Sequence, residues 1–398
     1  GALNGRKVIF SQIPASKKAM LRADEKSWVG GDIWIRPDLV ETFKRIAKNG
    51  HDGFYIGKTA ELIEKDMKTG GGMIDRTDLA NYQAILREPV HATYRGEYEI
   101  IIMPLPSSGG ITMTMMLNIL EGYNLKKMGH NSSNTLHIMS ETMRRAYADR
   151  AKYLGDSDFV KIPDYLTTKE YAAKQRASID PFFTTQSEEI GPELTQTTES
   201  TETTHFSVVD QWGNAVSNTY TLEGGYGSHI VIAGTGILTN NEMGDFNPQP
   251  GITKSNSQIG TPANLIEPNK RMLSSMSPAI VTKQGKLHLV VGSPGGRTII
   301  NTTMQLILNV IDHGMTIQEA VDAPRIHHQW FPDRLNIEGG VSQEIIESLK
   351  AKGHTIRTSG FFSGSYRQGD GHSIMVDPKT GYLLGAPDPR IEGAAFGY

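Results

Sequence analysis

The sequence predicts an α+β chain. Helical patterns dominate the first 200 residues, strands in consecutive hairpins follow residue 203, and long helices after them can pack on the sheet those strands form. At 398 residues the chain suffices for one large domain or two ordinary ones. Its 38% hydrophobic and 21% charged content is that of a soluble globular protein.

In chain order, Pro37 to Asn49 opens with Pro and stops at Gly50, a helix start and stop in the expected order. Tyr55 to Lys68 is a second amphipathic stretch, ended by Gly70-Gly71-Gly72. Tyr98 to Met103 reads as a short strand that enters the rigid loop Pro104-Leu105-Pro106-Ser107-Ser108-Gly109-Gly110. Helices at Ile111 to Glu121 and Asn134 to Tyr153 follow, the second bearing Tyr147-Ala148-Asp149-Arg150. Pro181 to Glu202 is rich in Thr, Ser, Glu and Gln and has no Lys or Arg, which predicts a mobile linker over 181–202.

Beyond 203 the expected strands are 204–210, 214–222, 229–238, 279–283 and 287–292. Helices at 297–313, 317–323 and 342–352 and closing strands near 354–358, 372–376 and 382–385 complete the chain. Stacked sheets between helical layers follow if the helices of residues 1–200 cover the side opposite the later ones.

Net charge is −3, without a basic cluster, which argues against nucleic acid as a partner. No apolar run reaches the ~18 residues of a membrane span. Cysteine is absent, so disulfides, thiolate metal sites and a Cys nucleophile are excluded. His327-His328 lacks i, i+4 spacing and a third ligand and reads as structural, so no metal is expected.

The segment Thr203 to Thr221 is the most informative. A turn at Trp212-Gly213 sets a hairpin register in which paired residue numbers sum to about 424, with Thr203 opposite Thr221. Phe206 and Val208 then share one face, His205, Ser207 and Val209 the other. A threonine at a strand start with a second hydroxyl across the ladder suits an N-terminal nucleophile whose own amine is the base. Threonine is also common in strands, and spacing alone favours a Thr-rich strand entered from a polar loop. Elsewhere, Gly292-Ser293-Pro294-Gly295-Gly296 links an apolar strand to a helix, either as an oxyanion site or as a tight turn. Ser274 and Ser275 can bind a carboxylate or cap a loop; Glu223, Glu242 and Asp245 can hold an ammonium group or be solvated turn acids.

Together these segments resemble the gamma-glutamyltranspeptidase family, of bacterial type. The matching pieces are Thr203 to Asp210, Asn240 to Phe246, Pro268 to Arg271 with Leu273 to Pro278, Ser293 to Gly296, Pro106 to Gly110 and Tyr147 to Arg150. The resemblance covers essentially the whole chain and implies that the upstream part of the large subunit, with an arginine that binds the substrate carboxylate, lies before Gly1. It implies a four-layer αββα sandwich of the N-terminal-nucleophile hydrolase type. Residues 1–202 would be the rest of the large subunit and 203–398 the small subunit, associated after cleavage at Glu202-Thr203.

Residue by residue, the resemblance makes Thr203 the nucleophile with Thr221 as its hydrogen-bond partner, and Gly295 and Gly296 the oxyanion hole. It gives Ser274 and Ser275 to the substrate α-carboxylate, and Glu223, Glu242 and Asp245 to its α-ammonium. Many members carry Asn and Gln in place of Glu223 and Glu242. The stretch Asn247 to Asn269 is long enough for a lid loop whose usual tyrosine falls near Asn256. The implied activity is transfer of a γ-glutamyl group from glutathione or related compounds to water, amino acids or peptides, in a periplasmic or secreted enzyme without cofactor. The alternatives are a cephalosporin (glutaryl) acylase or poly-γ-glutamate hydrolase of the same family and, in another class, an unprocessed binding homologue.

Overall fold

The computed structural model describes residues 2–191, 202–247, 262–358 and 366–397. Backbone proximity divides the chain into two compact units, Gly1–Arg87 with Gly224–Asn241, and Glu88–Glu223 with Glu242–Tyr398.

The first unit is built on the helices Pro37–Asn49 and Gly57–Gly70. Ala60, Ile63, Leu79 and Ile232 form one small core, and Phe10, Met20 and Val231 another. The strand expected at 229–238 is absent from this unit; only the bridge Val231↔Leu238 forms. The reason is Gly234-Thr235-Gly236: both glycines have positive φ, +75° and +68°, and fold the chain back on itself. A Cβ on Gly236 would sit 2.5 Å from the Leu39 backbone nitrogen, so the turn packs directly on a helix start.

The second unit holds a six-stranded antiparallel sheet in the order β1-β2-β5-β6-β10-β11. Its strands are β1 (Val90–Tyr94), β2 (Tyr98–Ile102), β5 (Ala279–Lys283), β6 (Lys286–Val291), β10 (Ser373–Val376) and β11 (Leu383–Ala386). The intervening β3 (Thr204–Val209) and β4 (Ala215–Tyr220) form a separate hairpin. Alternation assigns the two faces of the large sheet. Ile100, Val281, Leu289 and Met375 are aligned across it and buried in the main core with the helices Gly109–Leu120 and Thr298–Ile311. The neighbouring row, Ile101, Ile280, Val290 and Ile374, points the other way, toward the hairpin.

The stack is therefore helices, large sheet, hairpin. The helix Gly109–Leu120 shares its layer with Thr298–Ile311 rather than lying across the sheet from it. It is buried almost all round, with Met113, Met116, Leu117 and Leu120 inaccessible, so it needs neighbours on every side. Among the described residues of this unit no helix covers the outer face of the hairpin, where Phe206, Val208, Val216 and Tyr220 stand exposed. A small sheet, β7 (Ile326–His327), β8 (Leu335–Ile337) and β9 (Ile356–Arg357), packs with the helix Gln343–Ala351 near the helix Ser133–Tyr153.

Of the linker expected over 181–202, residues 192–201 lie outside the described residues, and the first half makes defined contacts. Thr184 Oγ1 donates to Glu141 Oε1 at 2.7 Å, Ser187 N donates to Asp333 Oδ2 at 2.8 Å, and Ser187 begins a short helix. Charged side chains supply the partners for these polar groups. Burial alone would push the Glu141 carboxyl up, but Arg144, the Thr184 hydroxyl and Arg145 together hold it down at about 2.

Candidate active site

The hairpin register matches the sequence expectation: Thr204 pairs with Tyr220, Phe206 with Asn218 and Val208 with Val216. Asp210 fixes the turn by accepting from Trp212 N and Asn214 N, each at 2.9 Å, while Gly213 takes φ +84°. Thr203 stands immediately before β3 and Thr221 immediately after β4, so the ladder delivers the two hydroxyls to one end.

There they form a directed chain. Thr203 Oγ1 donates to Thr221 Oγ1 at 3.2 Å, and Thr221 Oγ1 donates to the Glu202 carbonyl oxygen at 2.9 Å. Glu223 N also donates to Thr221 Oγ1, at 2.8 Å. One hydroxyl thus links the Thr203 side chain to the carbonyl of the peptide bond that precedes it.

Behind this end the hairpin is locked onto the large sheet. Ser217 Oγ donates to Val291 O at 2.8 Å and Ser207 Oγ to His372 O at 3.0 Å. His205 is buried, with ring nitrogens 2.8 Å from Thr219 Oγ1 and 3.1 Å from Ser207 Oγ. Burial, with His372 nearby, pushes its imidazole down to about 3, so the ring is neutral at ordinary pH. A Cβ on Gly292 would fall 2.3 Å from this ring, so β3, which begins just after Thr203, packs directly on the start of the Gly-Ser-Pro-Gly-Gly segment.

Gly295 and Gly296 have φ +128° and +57°, a backbone that side chains rarely adopt. Both are buried just before the helix Thr298–Ile311. Among the described residues neither N–H donates a hydrogen bond, while Gly295 O accepts from Thr298 N and Thr298 Oγ1. Buried amides are otherwise nearly always paired, and two adjacent N–H groups at a helix start can receive an anion.

Ser274 and Ser275 are both buried. Ser274 Oγ donates to Ser107 Oγ at 2.7 Å, Ser274 N donates to Pro106 O at 3.0 Å, and Ser275 Oγ accepts from Arg150 at 2.8 Å. Glu242 and Asp245 share one 3-10 turn, and Asp245 is buried. Glu223, strained at φ +70°, faces that turn: a Cβ on Gly244 would lie 3.9 Å from its carboxyl carbon. Asn264 joins the acidic turn to the serines, donating to Asp245 O at 2.7 Å and accepting from Leu273 N at 3.1 Å. Sequence reading missed Asn264 because nothing in its surroundings marks it. The lid position near Asn256 lies outside the described residues.

His327 and His328 spend their rings on protein: His327 meets Asn301 at 2.7 Å and Gln329 at 2.8 Å, and His328 meets Asp333 at 3.2 Å. No group of three or more acidic or histidine side chains suited to a metal occurs among the described residues. Nor, among those residues, is any helix long and apolar enough to cross a membrane.

Comparison with known proteins adds four findings. The family model described as Gamma-glutamyltranspeptidase matches residues 2–398. The chain is 45% identical over 385 residues to the glutathione hydrolase proenzyme of Escherichia coli (strain K12), covering 96% of this chain and 65% of that protein. It is 38% identical to the Acylase ACY 1 proenzyme of Pseudomonas sp. (strain SE83), covering 94% of this chain and 63% of that protein. The chain thus spans just under two thirds of the length of these relatives. In structure it resembles the cephalosporin acylase from Bacillus halodurans, with a TM-score of 0.80 at 24% identity over 100% of this chain and 70% of that one.

Proposed function

The chain belongs to the gamma-glutamyltranspeptidase family, and on that footing we propose that it forms part of a self-processing γ-glutamyl acyltransferase and hydrolase whose nucleophile is Thr203. The observation that carries this reading is the chain Thr203 Oγ1 to Thr221 Oγ1 to Glu202 O, at 3.2 and 2.9 Å.

Processing follows from its direction. Thr203 Oγ1 bonds to the Glu202 carbonyl carbon as its proton passes to Thr221 Oγ1 and the Thr221 proton passes to the Glu202 oxygen. The peptide C–N bond then breaks, its nitrogen takes a proton, and an ester remains. Water hydrolyses the ester, leaving a Glu202 carboxylate and a free Thr203 amine. Residues 1–202 and 203–398 stay associated as large- and small-subunit pieces, since β2 of the first pairs with β5 of the second along its whole length in one sheet.

In turnover the Thr203 amine takes the hydroxyl proton as Oγ1 attacks the γ-carbonyl of glutathione or another γ-glutamyl compound. The Gly295 and Gly296 amides hold the oxyanion. Ser274 and Ser275 meet the donor α-carboxylate, and Glu223, Glu242 and Asp245 its α-ammonium. The leaving amine departs with a proton, and water or an acceptor amine releases the γ-glutamyl group. No cofactor is needed, and the setting is periplasmic or secreted.

The acylase relative supports a second reading, a glutaryl-type acylase. Three carboxylates gathered on one side favour a substrate with an ammonium group instead. The deciding experiment is expression of the full-length protein with wild-type Thr203 and with Thr203→Ala. Wild type should give two bands on a denaturing gel and hydrolyse γ-glutamyl-p-nitroanilide; the variant should stay one band and be inactive. A variant that splits at the same bond would sink the self-processing reading, and hydrolysis of glutaryl-p-nitroanilide alone would select the acylase.

A further inference from the structure

The Tyr147-Ala148-Asp149-Arg150 motif has no part in the chemistry above, yet its helix touches two parts of the site. Tyr147 and Arg150, three residues apart and so on one face of the helix Ser133–Tyr153, both turn inward. The Tyr147 hydroxyl donates to Arg297 O, beside the glycine pair. Arg150 Nε donates to Ser108 Oγ and one terminal nitrogen to Ser275 Oγ, both at 2.8 Å. Arg150 is only 4% exposed, as is Ser275.

The Pro106 to Gly110 loop completes this support. Ser108 Oγ and Ser108 N both donate to Ser274 O at 2.8 Å, and Ser107 Oγ donates to Met276 O. Gly109 is bare because a Cβ there would lie 2.2 Å from Ser277 Oγ.

A guanidinium has donors and no acceptor. Both serine oxygens must therefore accept from Arg150, which turns each hydroxyl hydrogen away from it. At Ser108 that hydrogen goes to Ser274 O. At Ser275 the hydroxyl is polarised by a cation and becomes a stronger donor. The charge behind it is buried, so salt screens it little.

We propose that Arg150 is a positioning residue that sets Ser275 as a charge-assisted donor for a carboxylate, the free α-carboxylate of the γ-glutamyl donor. This rests on Ser274 and Ser275 meeting that group. The test compares two donors in the full-length processed enzyme: γ-glutamyl-p-nitroanilide and γ-aminobutyryl-p-nitroanilide, which lacks only the carboxylate. Arg150→Met should raise KM for the first roughly ten- to a hundredfold, with kcat little changed and the second donor unaffected. Arg150→Lys, which keeps the charge but not the fork, should fall between. Equal losses on both donors, or an unchanged KM, overturn the proposal.

If wild type treats the donors alike, or if Ser275→Ala keeps the preference, the serine assignment itself fails. If those two behave as expected and Arg150→Met does not, only the role of Arg150 fails. Should Arg150→Met not fold, Arg150→Lys and Ser108→Ala, which removes the hydroxyl that accepts from the arginine's Nε, carry the test. An unchanged KM in both overturns it.

Discussion

Replacing Thr221 by valine keeps the shape of the side chain and deletes its oxygen. Three hydrogen bonds meet that oxygen: from Thr203 Oγ1 at 3.2 Å, from Glu223 N at 2.8 Å, and to Glu202 O at 2.9 Å. The last lies where negative charge develops when Thr203 attacks the Glu202 carbonyl. Loss of one such donor is worth about 2.7–4 kcal/mol, or roughly 100- to 1,000-fold in rate. The same change removes the acceptor for the Thr203 proton, so the upper end of that range is expected. Thr221→Ser restores the oxygen and loses a methyl group, and should process within about tenfold of wild type. The assay is a time course of the full-length precursor on denaturing gels, starting from freshly translated protein. Thr221→Val precursor that cleaves at the wild-type rate would refute the relay, and equal slowing by Thr221→Ser would show that the methyl group, not the hydroxyl, matters.

Gly296→Ala places a Cβ at φ +57°, a strain of about 1–2 kcal/mol, and tilts the paired amides; turnover should drop by roughly tenfold or more while a cooperative melt persists. Wild-type turnover in that variant would reduce the glycines to a turn. Asp245→Ala removes a buried carboxylate from the ammonium side and should lower kcat/KM for γ-glutamyl-p-nitroanilide at least roughly tenfold, with self-cleavage intact; an unchanged kcat/KM rejects its role. Asp149 is a stability test away from the site: burial pushes its carboxyl up to about 6, with Tyr171 and Lys152 pulling back. Between its unfolded value of 3.8 and about 6 the folded state holds a proton that the unfolded state has lost, so stability falls as pH rises through that window. The loss at pH 7 is on the order of 3 kcal/mol. Asp149→Asn should melt several degrees above wild type at pH 7, with the gap closing toward pH 4; a gap independent of pH would reject the assignment.

The fold was legible wherever local pattern and burial agree. Pro37–Asn49 and 279–283 form as expected, because a Pro start with a Gly stop, and a short alternating run, each have one good solution. Where two patterns compete, tertiary contacts decide. Residues 229–238 have the apolar content of a strand, but the positive φ of Gly234 and Gly236 and the close approach of Leu39 make a packed turn. Residues 181–191 have the composition of a linker, but the carboxylate of Asp333 and the Glu141–Arg144–Arg145 cluster hold them. No local property of Pro181 to Ser187 reports a partner about 150 residues away in sequence, so composition alone does not reveal these contacts.

The site divides along the same line. The hairpin register is a local property, so the pairing of Thr203 with Thr221 could be read from the turn at Trp212-Gly213 alone. Residue identity could suggest that Ser275 binds an anion, but hydroxyls are equally good acceptors, and the sequence does not say which role a serine takes. Direction comes from what lies behind each oxygen: Arg150 at Ser275, the Thr203 proton and the Glu223 amide at Thr221. Those partners come from a helix of the first half and from a strained residue just past a strand end, brought together only by folding. A motif search recovers which atoms are present. The polarity of the site, meaning which oxygen gives a proton and which takes one, is set by these second partners, and the variants at Thr221 and Arg150 test that polarity at its two ends.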